Sequence, residues 1–261
     1  MRSDLFARVL AALPAIAFAI FIVAEGRWIF ALGVAALGVI CLHELFRMYE
    51  RVAPVRLAGF AGAVALACAA QAGGTQQVLL ALVAFVPFMF LVTLVMPRSS
   101  VGGIAITTLG VVWIGLALAH AVLLRKLEHG DGIVVDVLVG TFVGDTGAYL
   151  GGRSFGTRPL AARISPNKTV EGLVIGFACA VIATWAAGLY QDWLSGDKAL
   201  LLGFAVGAAV PLGDLFESRI KRDAGTKDTG RFFGAHGGAL DRLDAALFTL
   251  VAGYYVWLAM T

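Results

Sequence analysis

The chain has 261 residues, of which 60% are hydrophobic and only 14% are charged, and its formal net charge at pH 7 is +3. A water-soluble domain is about 45–50% apolar and about 25% charged, so this composition excludes an ordinary soluble protein and indicates an integral membrane protein. The chain has no long polar segment that could form a separate soluble domain, and we expect no nucleic-acid partner.

Apolar runs follow one another along the whole chain. A membrane-spanning helix needs about 20 apolar residues, and nine runs approach that length. We therefore predict an all-α, polytopic helix bundle that forms a single membrane domain over residues 1–261, with N-terminal helices in 1–130 and catalytic helices and cytoplasmic loops in 131–261. The first run is interpreted as an uncleaved helix, because eight more follow it. The predicted spans are residues 5–24, 28–45, 57–72, 78–96, 102–124, 133–150, 170–190, 199–217 and 239–260.

The distribution of basic residues predicts the orientation of these spans. With nine spans and a cytoplasmic N-terminus, sixteen of the twenty lysines and arginines fall on the cytoplasmic side, as the positive-inside rule requires. The loops 151–169 and 218–238 then both face the cytoplasm. The basic residues left on the other side are Arg27, Arg125, Lys126 and Lys198.

Two polar residues, His43 and Glu44, lie near the end of the second predicted span. They can form a polar contact inside the helix bundle, or they can be an interfacial pair at a helix end, which is the commoner arrangement. The first half of the chain otherwise offers few residues that indicate a chemical role.

The second half of the chain differs, because two of its spans end in Gly-Asp and lead into basic loops. In the loop that follows Asp145, several glycines permit tight backbone turns. Ser165 and Pro166 are expected to form a turn or the start of a helix, and Glu171 begins the seventh span. The basic residues of this loop are Arg153, Arg158, Arg163 and Lys168.

The stretch from residue 211 to residue 244 places carboxylates inside two apolar spans, where they usually mark an ion site, a proton path or a catalytic centre. Because the loop between these spans is short, we expect their polar faces to converge at the cytoplasmic edge of the bilayer. Hard oxygen ligands indicate Mg²⁺ rather than Zn²⁺. Helical spacing groups Asp214, Glu217, Ser218 and Lys221 on one face of the first of these spans. It groups Asp241 and Asp244 on one face of the second.

Groups suited to phosphate lie between these carboxylates. Gly237 and Gly238 precede the last span, and N–H groups at the positive end of a helix dipole suit a phosphate. His236 can be a metal ligand, a phosphate contact or a plain loop histidine. The positive-inside rule or anionic lipid could account for the basic residues, but not for the carboxylates interleaved with them. Further phosphate contacts are predicted at Lys221, Arg222, Lys227 and Arg231.

These residues together predict a metal-dependent phosphate site at the cytoplasmic membrane surface. In phosphoryl and nucleotidyl transfer, metal ions bridge phosphate oxygens and basic groups stabilise the leaving group. An acceptor that is itself a phosphate is already anionic and requires no dedicated general base. The residues alone do not identify the nucleotide or the lipid.

The order of the polar residues resembles a known family signature. Ser218-x-Ile220-Lys221-Arg222, Lys227-Asp228-x-Gly230 and Phe233-Gly234-x-His236-Gly237-Gly238-x-x-Asp241-Arg242-x-Asp244 resemble that of the phosphatidate cytidylyltransferases, or CDP-diacylglycerol synthases. The resemblance continues through Asp145-Thr146-Gly147-Ala148-Tyr149 and Ser165-Pro166-Asn167-Lys168-Thr169-x-Glu171-Gly172, and so covers about residues 130–260. Val170 departs from the pattern, since the family often has an aromatic residue there, and we expect this to affect packing rather than chemistry.

The resemblance implies an all-helical membrane enzyme that condenses CTP with phosphatidic acid to form CDP-diacylglycerol and pyrophosphate. It also implies a homodimer in the cell (inner) membrane that contacts membrane lipid, has its active site on the cytoplasmic side, and requires Mg²⁺, in some cases with K⁺ in a paired metal site.

Roles for individual residues follow from the same resemblance. It implies metal ligands at Asp214, Asp241 and Asp244, with Asp145 as a further candidate. It implies catalytic roles for Asp214, Asp241, Lys221, Lys227 and Asp228. It implies substrate contacts at Asp145, Ser165, Asn167, Lys168, Glu171, Ser218, Arg222, His236, Gly237, Gly238 and Arg242.

Two other functions fit part of the pattern. A CTP-dependent lipid kinase of the polyprenol or phytol type would transfer a phosphoryl group to a neutral alcohol and would need a base. An ion-coupled transporter could use the carboxylates as a cation relay, but its carboxylates are expected near the membrane midplane, whereas here they are expected at one edge.

Overall fold

The computed structural model describes residues 14, 16–96, 100–230 and 237–261, and over these residues the protein is predominantly helical. The described residues include eight helical segments long and apolar enough to cross a membrane, and a shorter apolar helix, α1 (Ile16–Glu25), precedes them. The prediction of an all-α polytopic membrane protein is confirmed. The first predicted span, 5–24, lies partly outside the described residues. The eight segments are α2 (Arg27–Met48), α3 (Arg56–Gly73), α4 (Thr75–Val95), α5 with α6 (Val101–Lys126), α7 (Gly130–Phe155), α8 (Val170–Gly188), α9 (Gly196–Asp223) and α10 (Leu240–Met260).

The fifth of these segments is not uniform. It consists of α5 (Val101–Gly110), a π-helical stretch at Val111–Gly115, and α6 (Leu116–Lys126). A 3₁₀ turn at Glu50–Val52 connects α2 to α3. The helix α5 begins at Ser100, whose hydroxyl accepts a hydrogen bond from the Gly103 N–H at 3.0 Å, and this satisfies one of the N–H groups that a helix start leaves unpaired.

The chain divides into two compact units. The first contains Met1–Lys126 together with Asp228–Arg242, and the second contains Leu127–Lys227 together with Leu243–Thr261. Among the described residues, 228–230 and 237–242 therefore group with the N-terminal helices.

In the first unit, α3 packs against α2, α4 and α6. The basic residues at the end of α6 bind the ends of other helices: the Arg125 guanidinium donates to the Val23 carbonyl at 2.8 Å, and the Lys126 ammonium donates to the Ala70 carbonyl at 2.9 Å. The ends of α1, α3 and α6 thus lie at the same face of this unit, as alternating spans require. The absolute orientation in the membrane stays a prediction.

In the second unit, glycines allow α7 and α8 to pack closely. A Cβ on Gly176 would lie 2.6 Å from the Ala148 Cβ and 2.8 Å from the Gly144 carbonyl oxygen. A Cβ on Gly144 would lie 2.8 Å from the Ala180 Cβ. Residues Gly172, Gly176 and Ala180 are spaced four apart, which is the small-residue pattern that lets membrane helices approach each other.

We expect Gly176→Leu to separate α7 from α8 and to destabilise the second unit. Overpacking costs about 1–3 kcal/mol and occasionally more, so the detergent-solubilised variant should unfold at a lower temperature in a thermal melt. Val174→Leu is the matched control, because Val174 lies on the same helix with 61% of its surface exposed. Equal melting temperatures for the two variants would contradict this interpretation.

A short β-hairpin connects α7 to α8. Its strands β1 (Pro159–Ala161) and β2 (Ser165–Thr169) are antiparallel, with Pro159 opposite Thr169 and Ala161 opposite Ser165. The expectation of a turn or helix start at Ser165 and Pro166 is therefore wrong, because these residues begin a strand. The helix starts later, at a cap formed by Thr169, whose hydroxyl accepts from the Gly172 N–H at 3.1 Å.

Candidate functional site

The C-terminal part of α9 carries the acidic and basic residues that the sequence analysis placed on one helical face. The helix continues to Asp223, beyond the predicted end at residue 217, because its last turn is polar and was not counted in an apolar run. Lys221 forms an ion pair with Glu217 one turn earlier. The Glu217 side chain is buried, with 2% of its surface exposed, so this carboxylate lies inside the protein rather than at its surface.

The hairpin between α7 and α8 lies against the same end of α9. The Lys168 ammonium on β2 is 2.7 Å from the Asp214 Oδ2, and these side chains are 30% and 16% exposed. The Arg222 Nε donates to the Ile164 carbonyl at 3.1 Å. Two contacts thus hold the hairpin to the C-terminal end of α9, although the two segments are far apart in the sequence.

Asp244 on α10 completes this cluster within the second unit. Its carboxyl lies next to those of Asp214 and Glu217. The two helices approach closely because a glycine precedes Asp214: a Cβ on Gly213 would lie 2.5 Å from the Asp244 carbonyl oxygen and 2.8 Å from the Ala245 Cα. The structure therefore places Asp214 beside Asp244, next to the point where the backbones of α9 and α10 are in close contact at Gly213.

The carboxylate–lysine cluster, defined as Lys168, Asp214, Glu217, Lys221 and Asp244, combines three acidic groups with two ammonium groups. Such a cluster can bind phosphate oxygens through the lysines and a hard cation through the carboxylates. Among the described residues, no three acidic, histidine or cysteine side chains are arranged to hold a metal ion by themselves. Mg²⁺ is usually held by one or two carboxylates together with substrate phosphates, and the oxygens of Asp214 and Asp244 fit that donor set.

Glu171, for which a substrate contact stays a prediction, binds the chain that leads into the hairpin. Its carboxylate accepts from the Thr157 N–H at 3.1 Å, from the Thr157 hydroxyl at 3.0 Å and from the Arg158 Nε at 2.9 Å. These bonds join the start of α8 to the segment after α7, so in this structure Glu171 stabilises the base of the hairpin.

The other predicted substrate contacts differ in exposure. Ser165 and Ser218 are half-buried in the second unit, on the hairpin and on α9 respectively. His236 lies outside the described residues. The predicted residues that are exposed are Asp145, Asn167, Arg222, Lys227, Asp228 and Arg242.

Asp241 belongs to the first unit and has a different environment from Asp244. Its Oδ2 accepts from the Gly238 N–H at 2.8 Å and from the Thr229 N–H at 3.0 Å, and it lies 3.0 Å from the Thr229 hydroxyl oxygen. Gly237 has a φ of +83°, a conformation that favours glycine. The predicted pairing of Asp214 with Asp241 around one ion joins residues of different units and stays a prediction.

The N–H groups at the start of α10 were predicted to bind phosphate, and in the structure carboxylates accept from them. Gly238 donates to Asp241, while Ala239 and Leu240 donate to Glu44. A phosphate at these three groups would have to displace a protein carboxylate.

Glu44 forms a polar contact inside the protein, which was the less common of the two arrangements that the sequence left open. Glu44 is 4% exposed and His43 is exposed, so the two do not form an interfacial pair. The available signal was a single acidic residue late in an apolar helix, where a carboxylate is costly unless it has partners.

Comparison with known proteins places the whole chain in one family. The profile of the cytidylyltransferase family matches residues 6–260. The chain is 31% identical to the phosphatidate cytidylyltransferase of Bacillus subtilis (strain 168) over 263 residues, which is 97% of this chain and 97% of that protein.

Other relatives match over a shorter part of the chain. The phosphatidate cytidylyltransferase of Mycobacterium bovis is 34% identical over 160 residues, which is 61% of this chain and 52% of that protein. The chloroplastic phosphatidate cytidylyltransferase 4 of Arabidopsis thaliana is 38% identical over 144 residues, which is 54% of this chain and 37% of that protein. The match thus spans about half the length of the mycobacterial relative and nearly all of the Bacillus one.

Proposed function

This chain belongs to the cytidylyltransferase family, and from that premise we propose that it transfers the cytidylyl group of CTP to phosphatidic acid, giving CDP-diacylglycerol and pyrophosphate in phospholipid biosynthesis. The observation that carries the proposal is the identity with a phosphatidate cytidylyltransferase along 97% of both chains. The carboxylate–lysine cluster supports it, because it combines the positive groups and the hard oxygen donors that nucleotidyl transfer uses.

In the proposed reaction, a phosphate oxygen of phosphatidic acid forms a bond to the α-phosphorus of CTP. The bond from that phosphorus to the oxygen bridging the α- and β-phosphates breaks, and pyrophosphate leaves with the electron pair. The attacking phosphate is already anionic, so no side chain has to remove a proton from it. The protein's contribution is then to position two anions and to stabilise the charge that develops on the leaving group.

The lysines of the cluster are suited to that contribution. Lys168 and Lys221 each form an ion pair with a carboxylate at the same end of α9. Binding of a triphosphate would offer these ammonium groups new anionic partners. Lys168, on the hairpin, and Lys221, on α9, would then both bind the triphosphate.

The magnesium requirement is part of the proposal. Asp214 and Asp244 would hold Mg²⁺, and the metal-ligand role of Asp241 is carried over from the family resemblance. The ion would neutralise phosphate charge and orient the triphosphate. The proposal includes a K⁺ ion in a paired site, as the family resemblance implies.

The membrane setting of the reaction is also proposed. The eight apolar segments make this a multi-pass membrane protein. We expect the cell (inner) membrane as its location and the cluster at the cytoplasmic face, where CTP is available and where most basic residues of the sequence fall. Phosphatidic acid would enter sideways with its acyl chains in lipid. A homodimer is proposed from the family resemblance.

The two alternative functions are not favoured. The relatives described above are phosphatidate cytidylyltransferases, and none of those names indicates a polyprenol-type kinase or an ion-coupled transporter.

A product assay tests the proposal directly. Purified protein in lipid nanodiscs, supplied with CTP labelled in the cytosine ring, phosphatidic acid and Mg²⁺, should form a lipid-extractable labelled product and one pyrophosphate for each product molecule. Omission of phosphatidic acid is the control and should leave the label in the aqueous phase. Release of CDP with a neutral lipid alcohol, and no lipid-extractable cytidine, would identify a kinase instead.

A further inference from the structure

Glu44 is buried in an apolar environment, where an ionised carboxylate is stable only if hydrogen bonds compensate for its lost hydration. It belongs to α2, whose composition is that of a membrane span, and it is 4% exposed. The next two residues, Leu45 and Phe46, have no exposed surface. An ionised side chain at such a position is costly unless hydrogen bonds compensate for its lost hydration. The identity of its partners therefore indicates what Glu44 does.

The partners of Glu44 belong to the segment that begins α10, nearly 200 residues away in the sequence. Its Oε1 accepts from the Ala239 N–H at 3.0 Å, and its Oε2 accepts from the Leu240 N–H at 2.9 Å. These are N–H groups of the start of a helix, which have no partner within the helix and carry the positive end of its dipole. Glu44 is thus an N-terminal cap supplied to α10 by another helix.

Two glycines of the same segment leave room for this carboxylate. A Cβ on Gly230 would lie 2.6 Å from the Glu44 Oε1, and a Cβ on Gly238 would overlap its Oε2. A larger residue at either position would push Glu44 away from the N–H groups that it binds. The absence of a side chain at Gly230 and at Gly238 therefore leaves the space that the Glu44 carboxylate occupies.

Thr229 connects Glu44 to Asp241. Its hydroxyl oxygen lies 3.1 Å from the Glu44 Oε2 and 3.0 Å from the Asp241 Oδ2, and it can donate its single proton to either. The Thr229 N–H donates to the same Asp241 oxygen at 3.0 Å, and Thr229 is itself 5% exposed. Glu44 and Asp241 thus share one buried threonine, and together they accept from three consecutive N–H groups, at residues 238, 239 and 240.

We infer that Glu44 is a positioning residue for the proposed cytidylyl transfer, which fixes the orientation of the Asp241 carboxylate by anchoring Thr229 and the start of α10. The inference rests on the proposed function and on the role predicted for Asp241. Glu44 does not contact substrate in this interpretation. Its effect on the reaction passes through the hydrogen bonds that hold residues 229 and 238–241 in place.

The test uses Glu44→Gln in the full-length protein in lipid nanodiscs. Glutamine keeps the shape, but its amide nitrogen is a donor and would face a backbone N–H group, so one of the two backbone bonds should be lost. Hydrogen–deuterium exchange of the peptide containing Ala239 and Leu240 should become faster. The kcat for CDP-diacylglycerol formation should fall by about 10–100-fold, as for other partners that orient a functional side chain, while the KM for phosphatidic acid stays within twofold.

Two further variants separate positioning from general stability. His43→Gln is the matched control, because its exposed side chain is adjacent on the same helix; it should leave both exchange and kcat at wild-type values. Thr229→Val keeps the side chain's shape and the Glu44 bonds to α10 but removes the bridging hydroxyl, so it should lower kcat without unfolding the protein. In the Glu44→Gln/Thr229→Val double variant, the two losses should be less than additive, because both act through one network.

The outcomes are distinguishable. Faster exchange with a wild-type kcat would show that Glu44 holds the helix start but does not position the reaction, and the inference would be overturned. A lowered kcat with unchanged exchange would overturn the route through α10. A wild-type protein that forms no lipid-linked cytidine would instead refute the proposed function, and the exchange measurement would still report whether Glu44 anchors this segment.

Discussion

Asp214→Asn should reduce kcat for CDP-diacylglycerol formation by about 100–1,000-fold, the size of effect found when one preorganised electrostatic group is removed from an active site. Asparagine has nearly the same shape and can still accept a hydrogen bond from Lys168, which lies 2.7 Å from the aspartate. The substitution removes the negative charge that Lys168 and the proposed Mg²⁺ share. The loss should therefore appear as lower turnover and as a weaker dependence of rate on Mg²⁺ concentration, and not as loss of folded protein.

The control for this prediction removes the same charge elsewhere. Asp192 lies in the connection between α8 and α9 and is exposed, so Asp192→Asn should keep the wild-type kcat. The amount of each variant in purified membranes should be measured, since comparable amounts exclude a folding defect. A kcat for Asp214→Asn within threefold of the wild type would remove Asp214 from the proposed catalytic residues.

Gly213→Ala is expected to have the second largest effect on activity, although it adds only one methyl group. The new Cβ would lie 2.5 Å from the Asp244 carbonyl oxygen and 2.8 Å from the Ala245 Cα. Both contacts are with backbone atoms that cannot rotate away, so α9 and α10 must separate at this point. A misplacement of about 1 Å at a reacting site can cost about 100-fold in rate, and we expect a loss of that order because Asp214 and Asp244 would no longer be adjacent.

Leu212→Ala tests whether this loss is specific to the helix–helix contact. Leu212 is the preceding residue on α9 and is 57% exposed, so its truncation leaves the approach of α9 to α10 unchanged. Steady-state kinetics of the two variants, measured with saturating CTP, should show a large loss for Gly213→Ala and little change for Leu212→Ala. If Gly213→Ala retains most of the wild-type kcat, the adjacency of Asp214 and Asp244 is not required.

The helices and the family could be recognised from the sequence because both depend on local information. A span needs about 20 apolar residues whatever its neighbours are, so the run 133–150 lies within α7 and the run 199–217 within α9. The polar ends of both helices were missed, since counting apolar residues does not detect a helix that continues past the bilayer. The spacing of polar residues between 145 and 244 indicated phosphate chemistry and resembled the family signature. The match over residues 6–260 confirms the family.

The contacts that organise the candidate site required the folded chain. Lys168 meets Asp214, and Glu44 meets Ala239 and Leu240, although these residues are far apart in the sequence. Helical periodicity relates residues three or four positions apart and carries no information on which distant side chains will meet. These long-range contacts depend on how closely the helix backbones pack, as at Gly213. They also depend on the hydrogen-bond donors that each buried carboxylate requires. Glu44 satisfies this requirement by accepting hydrogen bonds from the N–H groups at the start of α10, a helix far from it in the sequence.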